Sequence, residues 1–312
     1  MQKLRRFLLI TIILFIIVVA GHIYYITTLA PTEKYPVDNY LLSETDKKAL
    51  IIVAHDDDMA TSAGTITLLC KNGWQIREMC FYQQGGLYFK KDSAKNPIRK
   101  KSLQQAVGLQ GLQSADPVDF NFRNDMENEK PYMPMPYSQF ATNYKLDSLT
   151  KLIAAYIEKY KPSVIFTLDS VMGGYGNPDH VMISQRIMDY CRQHKNDPGF
   201  SVKKIYQPVF PPSQSDRVLT KMPVYNEAKK VYQSEGMPLP DVQVEFGDHS
   251  KEKKQVMLAY TTEQNSFKQI TPYYNWYPHW IYFKIFDRDF FKVVSVSSLS
   301  AAFLLLNFHF NQ

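Results

Sequence analysis

The chain has little cysteine. Cys70, Cys80 and Cys191 are odd in number, which excludes a fully paired disulfide framework. Cys70 and Cys80 lie in apolar stretches that suit buried thiols. It also lacks a strong excess of charge of one sign: 36 Lys and Arg against 30 Asp and Glu leave a formal +6. Part of that excess sits at the N-terminus, so there is no nucleic-acid footprint. Lys-rich stretches such as Lys251–Lys254 read as a solvated helix face. No Gly-x-Gly-x-x-Gly follows the first strand-like run, which disfavours a dinucleotide site. Finally, no Asp, Glu, Lys or Arg occurs from Phe7 to Thr32.

That last absence is long enough to cross a hydrocarbon core of roughly 30 Å. Lys3, Arg5 and Arg6 precede it, so the charge rule keeps the N-terminus in the cytoplasm and puts the following domain outside. Two fates fit, an uncleaved signal anchor or a secretory signal peptide; length favours the anchor, and no convincing small-x-small cleavage site follows. Residues 1–30 are therefore expected to be an anchor or signal peptide, 31–47 a polar linker, 48–290 the functional domain and 291–312 an apolar C-terminal extension. Within that extension Val293–Phe308 is short for a span, and a core element, an interfacial segment or a loose tail all remain open.

Between these ends strands and helices alternate. Ala49–Ala54 reads as a strand buried on both faces, Met59–Lys71 as a helix stopped by Asn72-Gly73, and Gln75–Tyr82 as a second strand. A polar loop is expected over 83–96, a helix over Pro97–Gln113, and a strand over Val118–Phe122. Arg123–Tyr144 carries three prolines and no clear period, a long loop near a site. Leu146–Tyr160 is an amphipathic helix, Ser163–Leu168 a buried strand and Pro178–His194 a helix, and a further strand begins at Lys203–Tyr206. The expected fold is α/β and Rossmann-like, a mostly parallel sheet flanked by helices, with an N-terminal transmembrane helix.

Two polar clusters follow strand ends, where such sheets bind ligands. The first is His55-Asp56-Asp57-Asp58; His55 and Asp58 have the spacing of two ligands for one divalent metal, and Asp57 is left to act on water. Taken alone, it reads more readily as a solvated acidic turn. Asp56 is expected to be a solvated acid. The second cluster, Asp179-His180, follows a glycine-rich loop and Pro178. A His/Asp/His set with an open position is a catalytic metal arrangement, and Asp179 can steady a ligand ring. The aromatic run Tyr273–Phe283 is expected to pack as core strand and lid, with sugar stacking the alternative. His249 and His279 read as structural or surface residues.

These motifs resemble the PIG-L/LmbE-like zinc-dependent de-N-acetylases, whose Ala-His-Pro-Asp-Asp-Glu and His-Pro-Asp-His motifs stand here as Ala54–Met59 and Asn177–His180. Lys161–Thr167, Arg99–Ser102 and Gln255–Gln264 are similar to further family segments, so the likeness runs loosely from Leu50 to Ser266. The resemblance implies an LmbE-like deacetylase domain in which His55, Asp58 and His180 hold Zn2+ or another divalent metal. It implies Asp57 as general base, catalytic roles for Asp179 and Asn177, and Arg99 as a sugar contact. The implied partner is an N-acetylated sugar conjugate, a glycolipid or surface glycan, held outside the cytoplasm. Three positions depart from the family: Asp56 replaces proline, Met59 replaces glutamate, and Asn177 replaces the histidine that would stabilise the tetrahedral intermediate. An Asn amide still donates a hydrogen bond to an oxyanion but brings no charge. The departures leave a second implied reading, a catalytically weak or inactive carbohydrate-binding protein retaining the fold.

Overall fold

In a computed structural model the chain is described over residues 2–81, 95–125, 130 and 132–299. Seven strands form one sheet in the order β3-β2-β1-β4-β5-β7-β6. They are β1 Lys48–Val53, β2 Gln75–Phe81, β3 Ser114–Val118, β4 Val164–Phe166, β5 Lys204–Pro208, β6 Val242–Glu245 and β7 Arg288–Ser295. β1 to β5 run parallel, and β7 lies antiparallel between β5 and β6. Helices cover both faces, and β1 shows why its sequence has no polar alternation. Leu50 and Ile52 face one core cluster with the helices Leu146–Tyr160 and Pro178–His194, whereas Ala49, Ile51 and Val53 face another with the helix Ala63–Lys71. A strand buried on both sides must be apolar throughout.

The strand order reverses at β1. The chain moves from β1 to β2 and β3 on one side and returns to β4 on the other. Beyond the carboxyl ends of β1 and β4 there is thus a crevice, the position where open α/β sheets bind ligands.

Several expectations need correction. β3 is Ser114–Val118, not 118–122; it contains Pro117, which a strand tolerates because it sits at the sheet edge. Residues 31–47 are not a loose linker, since Val37 bridges to Gln243, Leu41 is buried, and the Asp38 carboxylate accepts from the Leu41 N–H (2.7 Å) and the Tyr206 hydroxyl (2.7 Å). Lys253 is not on a solvated face: it is 4% exposed, paired with buried Asp289 and lying over the Phe246 ring at 4.3 Å. The boundary expected at 290 falls inside β7, so residues 291–295 belong to the sheet, while 300–312 lie outside the described residues. The loop expected over 83–96 is likewise outside them except for its last two residues, which begin the helix Lys95–Gln110. The aromatic run forms turns and the short helix His279–Ile285 instead of a strand.

The Gln2–Thr27 helix projects from this body. Its apolar side chains are exposed from Leu4 to Val18, whereas Ile26 is buried in a third core cluster with Phe246, Tyr274, Tyr282 and Phe283. By length and composition it is a candidate membrane span or signal sequence.

Candidate metal centre and catalytic cleft

β1 delivers His55, Asp56, Asp57 and Asp58 as a tight turn at its carboxyl end, in which the Asp58 N–H donates to the His55 carbonyl at 3.4 Å. The Asp58 carboxylate accepts from the His55 N–H at 2.8 Å, so the same side chain shapes the turn and faces the crevice. β4 delivers the second half. The Asp169 carboxylate accepts from the N–H groups of Val171 (3.0 Å), Met172 (2.6 Å) and Gly174 (2.6 Å), folding the glycine-rich loop back on itself. Gly173 has φ +57 in that loop, and its carbonyl lies 2.9 Å from His180 Nδ1. There, a Cβ would stand 2.7 Å from that of His180, so the close approach requires glycine. Pro178 opens the helix that carries Asp179 and His180, and Asn177 Oδ1 caps it by accepting from the Asp179 N–H at 3.0 Å.

The two halves meet. Asp58 Oδ1 lies 3.0 Å from His180 Nε2 and 3.4 Å from His55 Nδ1, and the two imidazole nitrogens are 3.0 Å apart. Ligands about 2.0–2.2 Å from one tetrahedral zinc ion stand about 3.3 Å from one another, so these three atoms fit a single ion. One oxygen and two nitrogen donors suit a borderline cation such as zinc. Both rings are oriented from behind, His180 by the Gly173 carbonyl and His55 by Asp179, whose Oδ2 lies 3.6 Å from His55 Nε2.

The electrostatics follow from this crowding. Burial opposes charge on His55, but Asp58 and Asp179 outweigh it and hold the imidazole up at about 10. Asp58, against its own burial, is held well below the usual carboxylate range by His180 and His55. Asp57 is pushed the other way, by burial and by the charges of Glu263 and Asp58. Two adjacent carboxylates thus divide into a permanent anion and a proton acceptor of raised basicity, the separation that general-base chemistry needs.

Arg99, implied as a sugar contact, is buried among carboxylates. It is 2% exposed and its guanidinium is tied to Asp56, to Glu263 and, at 2.8 Å, to Asp57 Oδ1. Asp56 is correspondingly buried, not solvated, and its carbonyl accepts from the Tyr260 hydroxyl at 2.5 Å. The anomalous acid of the first cluster is therefore a counter-ion for a buried arginine. Sequence reasoning missed two further residues. Arg123, fully buried, donates to Asp179 Oδ1 at 2.7 Å and to Asp125, and the Tyr144 hydroxyl reaches the same oxygen at 2.7 Å. Arg123 and Tyr144 are the ends of the proline-rich stretch, joined by a backbone bridge, so the expected proximity to a site holds while the residues themselves went unrecognised. Glu263 was visible only as part of Gln255–Gln264.

Two cavities open from the centre. One, about 300 Å3, is lined by His55, Asp57, Asp58, Tyr132, Asn177, Asp179 and Glu263. The other, about 310 Å3, shares Asp57, Asp58 and Tyr175 and is walled by Leu168, Phe210, Phe267, Phe283, Phe286 and Phe290, reaching Pro31–Lys34 just beyond the N-terminal helix.

Residues 50–191 match the profile of PIG-L, described as GlcNAc-PI de-N-acetylase. No curated protein matches the chain in sequence. Among solved structures, it resembles N,N'-diacetylchitobiose deacetylase from Pyrococcus horikoshii, at 16% identity over 83% of this chain and 90% of that one, with a TM-score of 0.50. It also resembles the zinc-inhibited form of teicoplanin deacetylase Orf2, at 11% identity over 81% of this chain and 100% of that one, with a TM-score of 0.51. These likenesses show the LmbE-like α/β fold.

Proposed function

We propose, from the premise that residues 50–191 belong to the PIG-L family, that the chain is a metal-dependent N-deacetylase acting on an N-acetylglucosamine-type sugar conjugate. The observation that carries this is the convergence of the His55, Asp58 and His180 donor atoms within 4.8 Å of one another, with Asp57 next to Asp58 in the chain and lining both cavities. When bound there, zinc or a similar divalent cation polarises the amide carbonyl and lowers the pKa of water towards about 7. Asp57 takes the proton of the attacking water on a carboxylate oxygen. It then passes that proton to the amine nitrogen as the C–N bond breaks, so that the products are acetate and a free amine. Arg99, held by Asp56 and Glu263, fixes the position of the Asp57 carboxylate and acts as a positioning residue. Asp179 steadies His55, and Asn177 lends an amide N–H to the developing oxyanion.

The chain is tethered through its N-terminal helix with the catalytic domain outside the cytoplasm. An apolar cavity running from the metal ligands to the residues after that helix supports a conjugate whose non-sugar part is apolar, a glycolipid in preference to a free sugar. One observation favours the second reading, a carbohydrate binder without turnover: Asn177 stands where the family carries a histidine, so the donor to the oxyanion is uncharged. Acetate release from a panel of N-acetylglucosamine conjugates decides between them. Release by the metal-loaded chain that falls at least about 100-fold in Asp57→Asn supports the enzyme, and no release across the panel refutes it.

A further inference from the structure

We propose that the face carrying Trp276 and Trp280 is a second membrane-contact surface, seated in the headgroup layer of the same bilayer that the Gln2–Thr27 helix crosses. The inference rests on reading that helix as a membrane span. Its first support is a length count. The last basic residue before the apolar run is Arg6, and a 30 Å hydrocarbon core takes about 20 helical residues, so the core extends from Phe7 to about Ile26. His22, sixteen residues beyond Arg6, then lies about 24 Å into a slab about 30 Å thick. Tilt would carry it deeper.

His22 is also where the catalytic domain grips the helix. Its Nδ1 is 2.6 Å from the Tyr277 hydroxyl. Its ring stacks on Trp276 at 5.2 Å and Tyr277 at 5.7 Å and meets Tyr273 edge-on at 4.7 Å. Tyr273 adopts φ +68 to make that contact, a conformation that a bulky residue takes only where its surroundings impose it. One turn further along, Ile26 is buried in the domain core, so helix and domain are held together at two levels. The loop that touches His22 therefore cannot stand clear of the bilayer. Its outward side chains suit that position: Trp276 is 65% exposed and Trp280 62%, and on the helix Tyr24 and Tyr25 are exposed, Tyr25 with its ring 6.1 Å from that of Tyr273. Exposed Trp and Tyr at one level around a span form the aromatic belt that membrane interfaces favour. Trp74, the third tryptophan, is buried in a different core cluster from Ile26, and its indole N–H donates to the Leu41 carbonyl at 3.2 Å.

The test uses the full chain in phosphatidylcholine vesicles whose acyl chains carry bromine near the headgroup, a short-range quencher of indole. Relative to unbrominated vesicles, the wild-type chain should lose on the order of half of its tryptophan emission, and Trp276→Phe/Trp280→Phe should lose almost none. In the double variant, Trp74 emission also reports that the fold is intact. Adding Phe15→Trp to that variant places a probe in mid-helix, and its quenching by deeply brominated lipid checks the span separately. Quenching at position 15 with none at 276 and 280 overturns the inference and leaves the span standing. Failure at position 15 removes both. Tryptophans shielded from brominated lipid and from aqueous acrylamide alike would mean that a second copy covers this face, which also overturns the inference.

Discussion

Replacing Arg123 by Met tests whether the carboxylate behind the metal centre is held as a buried ion pair. Arg123 is fully buried and Asp179 is 2% exposed, and they meet at 2.7 Å, with the guanidinium carbon 5.0 Å over the Tyr144 ring. Asp179 is kept below the usual carboxylate range, against its burial, by His55 and Arg123. Removing the arginine leaves a buried charge without its main counter-ion, which costs about 3–5 kcal/mol. The loss should reach the metal as well, because Asp179 orients His55, and disturbing such a partner typically costs 10- to 100-fold in affinity. Tyr144→Phe removes a hydroxyl that donates to the same oxygen and accepts from Arg123, without removing a charge, and should cost about 1–3 kcal/mol, so the two variants should be ranked. Urea unfolding of the detergent-solubilised full chain gives the stabilities, and competition with a chromophoric chelator gives zinc affinity. If Arg123→Met costs less than about 1 kcal/mol and leaves zinc affinity unchanged, Asp179 is not a buried anion that positions His55.

Gly173→Ala should lower zinc affinity about tenfold or more, since its Cβ would strike that of His180 in a backbone conformation suited to glycine; unchanged affinity in the chelator assay would contradict this. Glu44, despite burial, is held down to about 2 by Tyr40, the Asp46 N–H and Lys203, so it contributes stability that is fully present above 4.5 and is lost as pH falls towards 2. Glu44→Gln should flatten the acid limb of a Tm-against-pH curve, and an identical limb would refute the assignment. Asn177→His should raise turnover by restoring a cationic donor while losing about 1 kcal/mol of helix capping; lower turnover with an intact fold would count against the oxyanion role.

Much of this was legible because it is local. An apolar run ending in His55 and three carboxylates, and a proline-led helix carrying Asp179-His180, state both a buried parallel strand and the chemistry at its end. The helices Leu146–Tyr160 and Pro178–His194 follow from amphipathic spacing and from Pro at the first helical position. What was not legible depends on long-range contact. Arg123 finds Asp179 across 56 residues, and Lys253 finds Asp289 across 36; composition alone makes either look like a surface cation. Asp56 looked solvated because nothing near it in sequence announces Arg99, 43 positions away. The Tyr273–Phe283 run looked like a strand because aromatics favour strands, yet Tyr273, Trp276 and Tyr277 pack on His22 of the helix at the far end of the chain.

The central claim is that His55, Asp58 and His180 form one metal site that works with Asp57 on an N-acetyl group. Its most direct test is acetate release from an N-acetylglucosamine glycolipid, measured while zinc is added back to the chelator-stripped full chain. Release should be absent at the start, rise with added zinc, level off near one equivalent per chain, and stay at baseline in His180→Ala. Acetate release that is indifferent to zinc removal, or that survives in His180→Ala, would contradict the account.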